Sequence, residues 1–509
     1  MKKKAHENSG LIFIILIFHS IISSFLVQTF YVPDEYWQSL EVAHRYVFGY
    51  GYLTWEWKEG IRSCTYPLAI AFIYKILNVV NLDNLKCLIL SPRLLQALLT
   101  GTGNYYIYKL SILHHGYRTA RWTLFSLLTS WFLFYCASRT LSNTAEMAIV
   151  SYGFYLFPWF NSSVVKWKYL WFAGLSCMIR PTAVILWLPL YIWHCVQERR
   201  QIMYLLLKTI IVCACCVVAM IIFDWFCFGR FIFTPYQFMY FNWIHNIGTY
   251  YGSNSWHWYF TQGFPAVMAF QLLPFLLAFQ FHQTFHYLKL ILWLLTVLSF
   301  VSHKEFRFLL PVLPLSLHVS GIGLDILAQN GRKHRYLHIS YRSIAMAIVI
   351  LIGNFSLLVY TSFYHQRGTL DVMDYLSKLA VQNKKMNVLF LMPCHSTPFY
   401  SHIHQNITMK FLTCEPDFLN QVDYLDEADV FYGNPTFWLA EKFGSGIDVE
   451  NNKIILPSHI VIFDVLFYHI SEFLHYHNYD QCFKTFHTKF PHGRIGSYVK
   501  VFCHQQTID

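Results

Sequence analysis

Long apolar runs broken by short polar connectors fill the first two-thirds of the chain. Residues 11–33 contain no Asp, Glu, Lys or Arg, and a bilayer crossing needs roughly 20 apolar residues. The stretch is long for the core of a cleaved leader and lacks a small-x-small cleavage site, so it reads as an uncleaved first helix. The same pattern predicts further spans at about 65–80, 91–113, 122–138, 143–160, 168–180, 181–197, 203–226, 263–282, 286–302, 306–326 and 343–363, about 11–13 in all. Arg180-Pro181 marks a tight turn between two of them. Segment 36–48 sets Trp37, Leu40, Val42 and Val47 against Gln38, Glu41, His44 and Arg45, an amphipathic helix suited to an interface plane. Beyond residue 366 the pattern shortens. Runs at 387–392, 409–413 and 459–464 read as strands, and 370–381 and 434–443 as helices. The expected architecture is a polytopic α-helical membrane protein: a bundle over 1–366 with polar loops at 28–64 and 227–262, then an α/β domain over 367–509.

Composition agrees. The chain is 55% hydrophobic and 19% aromatic but only 13% charged, where soluble domains carry about 25% charged residues. A disordered tail, a collagen, a coiled coil and a small disulfide scaffold are excluded. The net charge of +11 divides into +15 on 1–366 and −4 on 367–509. The basic residues sit in short connectors: Lys2-Lys3-Lys4, Arg118 and Arg121, Lys166 and Lys168, Arg199-Arg200, and Arg332 to Arg342. That is the positive-inside pattern, not the clustered patch of a nucleic-acid binder. It predicts a cytosolic N-terminus, and it places 139–146, 227–262, 303–307 and the C-terminal domain on the luminal side. Hydropathy through 65–113 does not give the matching parity, so one segment there is expected to be re-entrant or split. Nine of the 13 cysteines lie in or beside the membrane region, where a thiol acts as a small apolar group. The other four, Cys394, Cys414, Cys482 and Cys503, allow two disulfides in an oxidising lumen, with pairing and redox state open. Asn406-Ile407-Thr408 is a glycosylation sequon in the same domain. Asn161-Ser162-Ser163 and Asn354-Phe355-Ser356 fall at or within spans, and Asn434-Pro435-Thr436 is blocked by its proline.

Three polar islands lie on the luminal side. Asp34 and Glu35 are adjacent carboxylates at a membrane boundary flanked by Tyr31, Tyr36 and Trp37. They read either as a helix cap in an aromatic belt or as a functional pair, because ionisable groups at membrane depth are expensive. Residues 231–288 carry no formal charge, yet 250–263 hold Tyr251, Asn254, Trp256, His257 and Gln262. Aromatic faces and amides suit a sugar or a lipid head; an interfacial belt is the other reading. In His303-Lys304-Glu305-Phe306-Arg307-Phe308, Lys304 and Arg307 make a phosphate clamp in which Glu305 is placed to orient either cation, or else a solvated ion-paired turn. Arg139, Asn143 and Glu146 are secondary candidates. His402 with His404 and His475 with His477 read as surface histidines, not as a zinc site.

Several strings together resemble the dolichyl-phosphate-mannose-dependent mannosyltransferases of glycosyltransferase family 22, polytopic enzymes of GT-C architecture. They are Pro33-Asp34-Glu35-Tyr36-Trp37-Gln38, Tyr52-Leu53-Thr54-Trp55-Glu56-Trp57, Arg139-Thr140-Leu141-Ser142-Asn143-Thr144, Arg180-Pro181-Thr182-Ala183, Trp256-His257-Trp258-Tyr259-Phe260 and the island at 303–308. In the tail, Gln366 to Met373 and Pro393-Cys394-His395-Ser396-Thr397-Pro398 favour the members that act in glycosylphosphatidylinositol (GPI) anchor assembly. The resemblance runs from about residue 28 to about 500. It departs at Cys64, where a tyrosine is expected, and at Asn104, where an acidic residue is expected. The resemblance implies an endoplasmic reticulum membrane enzyme that adds the third GPI mannose in α-1,2 linkage. The donor is dolichyl-phosphate mannose, the acceptor a dimannosyl GPI precursor, and the displacement inverting. It implies neither metal nor cofactor, and no nucleic-acid partner. Asp34 is then the candidate base with Glu35 as understudy. Lys304, Arg307 and His303 face the donor phosphate, and Trp256, His257, Tyr251, Arg139 and Glu305 contact substrate. The rival readings are a sister enzyme adding the fourth GPI mannose or an N-glycan mannose, a non-catalytic partner of a transferase, and a lipid or solute transporter. The last is weakened by the lack of a repeat between halves.

Overall fold

Five helices among the described residues are long and apolar enough to cross a membrane. They are Ser9–Leu26, Arg199–Phe228, Tyr259–Gln280, Phe306–Gln329 and a run that opens with helix Tyr341–Phe363. This computed structural model describes residues 2–160, 165–245, 247–330, 340–418, 424–444 and 456–504. The sequon at Asn161 and the connector residues 331–339 lie outside them. The chain divides into two compact units. One comprises Met1–Val27, Glu56–Ile73 and Leu90–Tyr360; the other comprises Gln28–Trp55, Tyr74–Ile89 and Thr361–Asp509.

In the first unit the helices follow the apolar runs, with three informative differences. The first helix ends at Leu26 rather than near residue 33. The spans read at 91–113 and 122–138 are one run, Leu85–Thr129, broken at Gly116, whose φ of 82° only glycine takes readily. A separate short helix, Trp131–Cys136, follows, with the Ser130 hydroxyl accepting from Leu133 N–H. Helix Thr65–Val79 has 15 residues. At about 22 Å it is shorter than the hydrocarbon core of about 30 Å, which is why hydropathy alone gave no clean parity there. Helix Leu313–Gln329 is buried nearly all round. A Cβ at Gly323 would lie 1.9 Å from the Pro274 carbonyl oxygen, so the two backbones touch as small-residue packing permits. Two of its buried side chains reach partners: the Ser320 hydroxyl donates to Gln271 Oε1 at 2.7 Å, and His318 Nδ1 lies 3.1 Å from the Thr123 hydroxyl.

The second unit is built on a five-stranded sheet: β1 (Asn387–Leu391), β2 (Thr408–Phe411), β3 (His459–Phe463), β4 (Tyr479–Phe486) and β5 (Tyr498–His504). The order is β2-β1-β3-β5-β4; β2, β1 and β3 run parallel, while β5 and β4 pair antiparallel. The three strands legible as apolar runs are all present. β4 and β5 were not legible, because β4 is mostly solvent-facing and Lys500 interrupts β5. Helices Gly368–Gln382 and Pro435–Leu439 also lie where expected. Leu391, Phe431, Leu439, Ile460, Ile462, Ile470 and Phe502 form the core.

Both possible disulfides are formed, Cys394–Cys414 and Cys482–Cys503. The second staples β4 to β5 at a bulge between Gln481 and Phe483. It closes a loop of 21 residues, so loop-closure entropy predicts about 3 kcal/mol of stabilisation. A Cys482→Ser/Cys503→Ser double variant is expected to lower the thermal midpoint of the purified protein, read by differential scanning calorimetry.

Candidate active site

Pro33 turns the chain so that the N–H groups of Tyr36 and Trp37 donate to its carbonyl at 2.9 and 3.0 Å. Asp34 and Glu35 already lie in this first helical turn, and Glu35, at φ −56° and ψ −34°, makes no side-chain cap bond. Glu35 is buried and Asp34 half-buried. A π-turn, Tyr36–Leu40, leads into helix Glu41–Phe48, which Gly49 ends at φ 82°. On the polar face of this helix Glu41 and His44 are buried within the second unit, while Arg45 stays exposed. Trp37 Nε1 donates to the Thr397 carbonyl at 2.9 Å. Glu41 Oε1 accepts from Phe399 N–H at 2.8 Å and from the Ser401 hydroxyl at 2.5 Å. His44 Nε2 lies 3.1 Å from His404 Nδ1. Burial pushes the Glu41 carboxyl up to about 7 against the pull of Ser401 and the backbone N–H groups. Burial also pushes His395 down to about 4, with the Asp34 charge working the other way. His395 sits beside Cys394 and Cys414, whose sulfurs are bonded to each other.

In the first unit the charged island at 303–308 folds on itself. Glu305 Oε2 accepts from Arg307 Nε at 2.6 Å, its Oε1 pairs with Arg307 Nη2, and His303 Nε2 lies 2.9 Å from the same Oε1. Burial opposes ionisation of Glu305, but the Arg307 and His303 charges hold the carboxyl at about 2. The bond to Glu305 raises His303. Glu305 therefore orients Arg307, as expected, but not Lys304. Lys304 Nζ donates to the carbonyls of Asn254 at 3.0 Å and Val301 at 2.5 Å, and His303 Nδ1 lies 3.2 Å from the Gly252 carbonyl. These bonds tether the uncharged loop, on which Tyr251, Trp256 and His257 are exposed, Trp256 to 70%. Tyr259, not singled out by the sequence, is fully buried and receives Glu305 N–H on its hydroxyl at 3.3 Å.

Phe308 lies between two guanidiniums, 5.5 Å from Arg307 and 5.7 Å from Arg180. Arg180 pairs with Glu146 at 3.2 Å and donates to the Ser142 hydroxyl at 3.0 Å. In the sequence Arg180 reads as a turn and as part of a family-matching string, without a role in the site; the signal available was an arginine between two apolar runs. Arg139 is buried over the Tyr135 ring at 4.1 Å, with Nε donating to the Tyr135 carbonyl at 3.1 Å. Such buried, planar cations suit a phosphate better than a solvated ammonium does.

Comparisons with known proteins give the family and the fold. The model of the Alg9-like mannosyltransferase family matches residues 11–404. The chain is 43% identical over 503 residues to GPI alpha-1,2-mannosyltransferase 3 of Bos taurus, covering 97% of this chain and 89% of that one. It is 42% identical to GPI mannosyltransferase 3 of Drosophila melanogaster, covering 91% and 81%. The crystal structure of ArnT from Cupriavidus metallidurans bound to undecaprenyl phosphate superposes with a TM-score of 0.59 over 97% of each chain at 12% identity, a likeness of fold that bears out the expected GT-C architecture. The chain, a membrane-spanning glycosyltransferase by this fold and these matches, belongs to the Alg9-like mannosyltransferase family.

Proposed function

We propose that this chain transfers mannose in α-1,2 linkage from dolichyl-phosphate mannose to a GPI precursor that already carries two mannoses, at the luminal face of the endoplasmic reticulum membrane. The observation that carries the reading is identity above 40%, spread over nearly the whole chain, to enzymes named for that reaction. The residues supply matching chemistry. Asp34 takes the proton of the acceptor hydroxyl as its oxygen attacks the donor's anomeric carbon. The bond from that carbon to the phosphate oxygen breaks, and inversion follows from a single displacement on a β-linked donor. Dolichyl phosphate leaves as a stable anion, so no general acid is needed there. Arg307, its planar guanidinium oriented by Glu305 and joined by His303, takes up the developing charge. Lys304 serves the same site by fixing the loop that presents Tyr251, Trp256 and His257 to the sugars, and Arg139 and Arg180 hold the remaining anionic groups.

Lipid analysis of cells lacking the protein tests the assignment. A pile-up of dimannosyl GPI precursor, cleared on re-expression, is the expected result; a stall at any other stage rejects it. Product formation by the purified protein from synthetic donor and acceptor separates an enzyme from a transporter.

Luminal placement of the C-terminal domain has its own test. Asn406 is exposed just ahead of β2, whereas Asn354 is buried with Nδ2 bonded to the Thr129 carbonyl at 2.9 Å. One N-glycan is expected, seen as a glycosidase-sensitive mobility shift that Asn406→Gln abolishes. An unshifted wild-type protein counts against a luminal domain.

A further inference from the structure

We infer that segment 393–404 of the C-terminal domain is the seat that positions the Asp34–Glu35 carboxylates, with Glu41 as its principal positioning residue. The inference rests on the proposed role of that pair.

The contacts fall in one register. Trp37, Glu41 and His44 are spaced by four and three residues, one face of the helix that begins directly after Glu35. All three engage residues between 395 and 404. The Trp37 ring packs on His395 at 4.4 Å, Phe411 at 5.1 Å and Phe399 at 5.4 Å, while its Nε1 is held by Thr397. Glu41, 1% exposed, accepts from Phe399 N–H, from Ser401 N–H and from the Ser401 hydroxyl. Tyr36 meets His402 edge-on at 5.2 Å.

Fully burying a carboxylate is expensive unless donors surround it. An apolar residue would fill the same space without that requirement. What an apolar residue cannot supply is direction: several donors converging on two oxygens fix both the rotation and the axial position of the helix. The chain between Glu41 and Glu35 is short and internally tied, since the Ser39 hydroxyl donates to the Glu35 carbonyl at 2.5 Å. The seat is itself braced. Cys394 is joined to Cys414, and His395 and His404 take left-handed conformations at φ 59° and 50°. A base misplaced by about 1 Å loses about 100-fold in rate. Rigid placement of this turn is therefore a requirement of proton abstraction, and the C-terminal domain supplies it.

The test uses purified full-length enzyme. Glu41→Ala is expected to lower kcat about 10- to 100-fold with the KM of donor and acceptor changed less than about twofold, and Glu41→Gln to recover part of the loss. Hydrogen exchange is measured in parallel. Glu41→Ala should speed exchange over 28–40 and leave β1 and β3 protected as before. Should Glu41→Ala fail to fold, Trp37→Phe removes the bond to Thr397 and part of the ring packing on His395, Phe399 and Phe411, and is expected to show the same pattern more weakly. Unchanged exchange over 28–40 overturns the seat, whatever the base proves to be. Faster exchange with unchanged kcat also overturns it as a catalytic device. Asp34→Asn, run alongside, distinguishes that failure from an error in the base: normal transfer by Asp34→Asn removes the underlying reading itself.

Discussion

Asp34→Asn is expected to reduce mannose transfer by about three orders of magnitude, the scale of a lost general base. Asparagine keeps the size and hydrogen-bonding reach of the side chain but cannot take up a proton. The half-buried Asp34 sits in a helical turn beside His395, whose ring burial keeps neutral at pH 7. Glu35 is more deeply buried, and Glu35→Gln is expected to lower the rate less, through packing of the turn. Initial rates of purified variants with synthetic donor and acceptor decide the assignment. A silent Asp34→Asn beside an inactive Glu35→Gln exchanges the two roles.

Arg307→Ala is expected to have the second largest effect: a fall in kcat of about 100- to 1,000-fold, as for loss of one charge-stabilising donor, with a raised KM for the donor lipid. Two causes act together. The leaving phosphate loses its planar cation, and Glu305, now opposed mainly by His303, becomes a buried anion aimed at the phosphate. Its carboxyl pKa then climbs from about 2, because burial is no longer countered by the guanidinium. The sign follows directly: protonation of Glu305 relieves the repulsion, so residual activity of the variant should rise as pH falls, opposite to a carboxylate base. Arg307→Lys should rescue only in part, since an ammonium cannot replace the paired Nε and Nη2 bonds. Lys304→Met should behave differently. It releases Asn254 and Val301 and is expected to affect mainly acceptor KM. Donor kinetics unchanged in Arg307→Ala would remove Arg307 from the phosphate site.

The sequence was most legible where a single periodicity decided the matter. Apolar runs located the helices and the parallel strands, and the four cysteines beyond residue 366 allowed the two disulfides without giving their pairing. Strand β4 escaped because an exposed edge leaves no apolar run, and the interior strand β5 because Lys500 interrupts its run. The helix at 36–48 was legible as amphipathic but not in its environment: Glu41 and His44 look solvated until Phe399, Ser401 and His404 are brought against them. Glu305 was legible as an orienter, and Arg307 as its partner. That Lys304 is spent on loop carbonyls depends on how 252–254 folds back, which no local spacing reveals. Arg180 was hidden by its role as a turn.

The seat of the first polar island lies 360 residues downstream of it. At roughly 5–20 residues per second, the ribosome makes Asp34 and Glu35 on the order of 20–70 s before Thr397, Ser401 and His404 exist. During that interval the helix after Glu35 presents the Glu41 carboxylate and His44 Nε2 with nothing to receive them. With the proposed roles, catalytic competence waits until segment 393–404 has been made. A chain stopped short of residue 393 would hold every apolar run read as a membrane span and would still be expected to be silent.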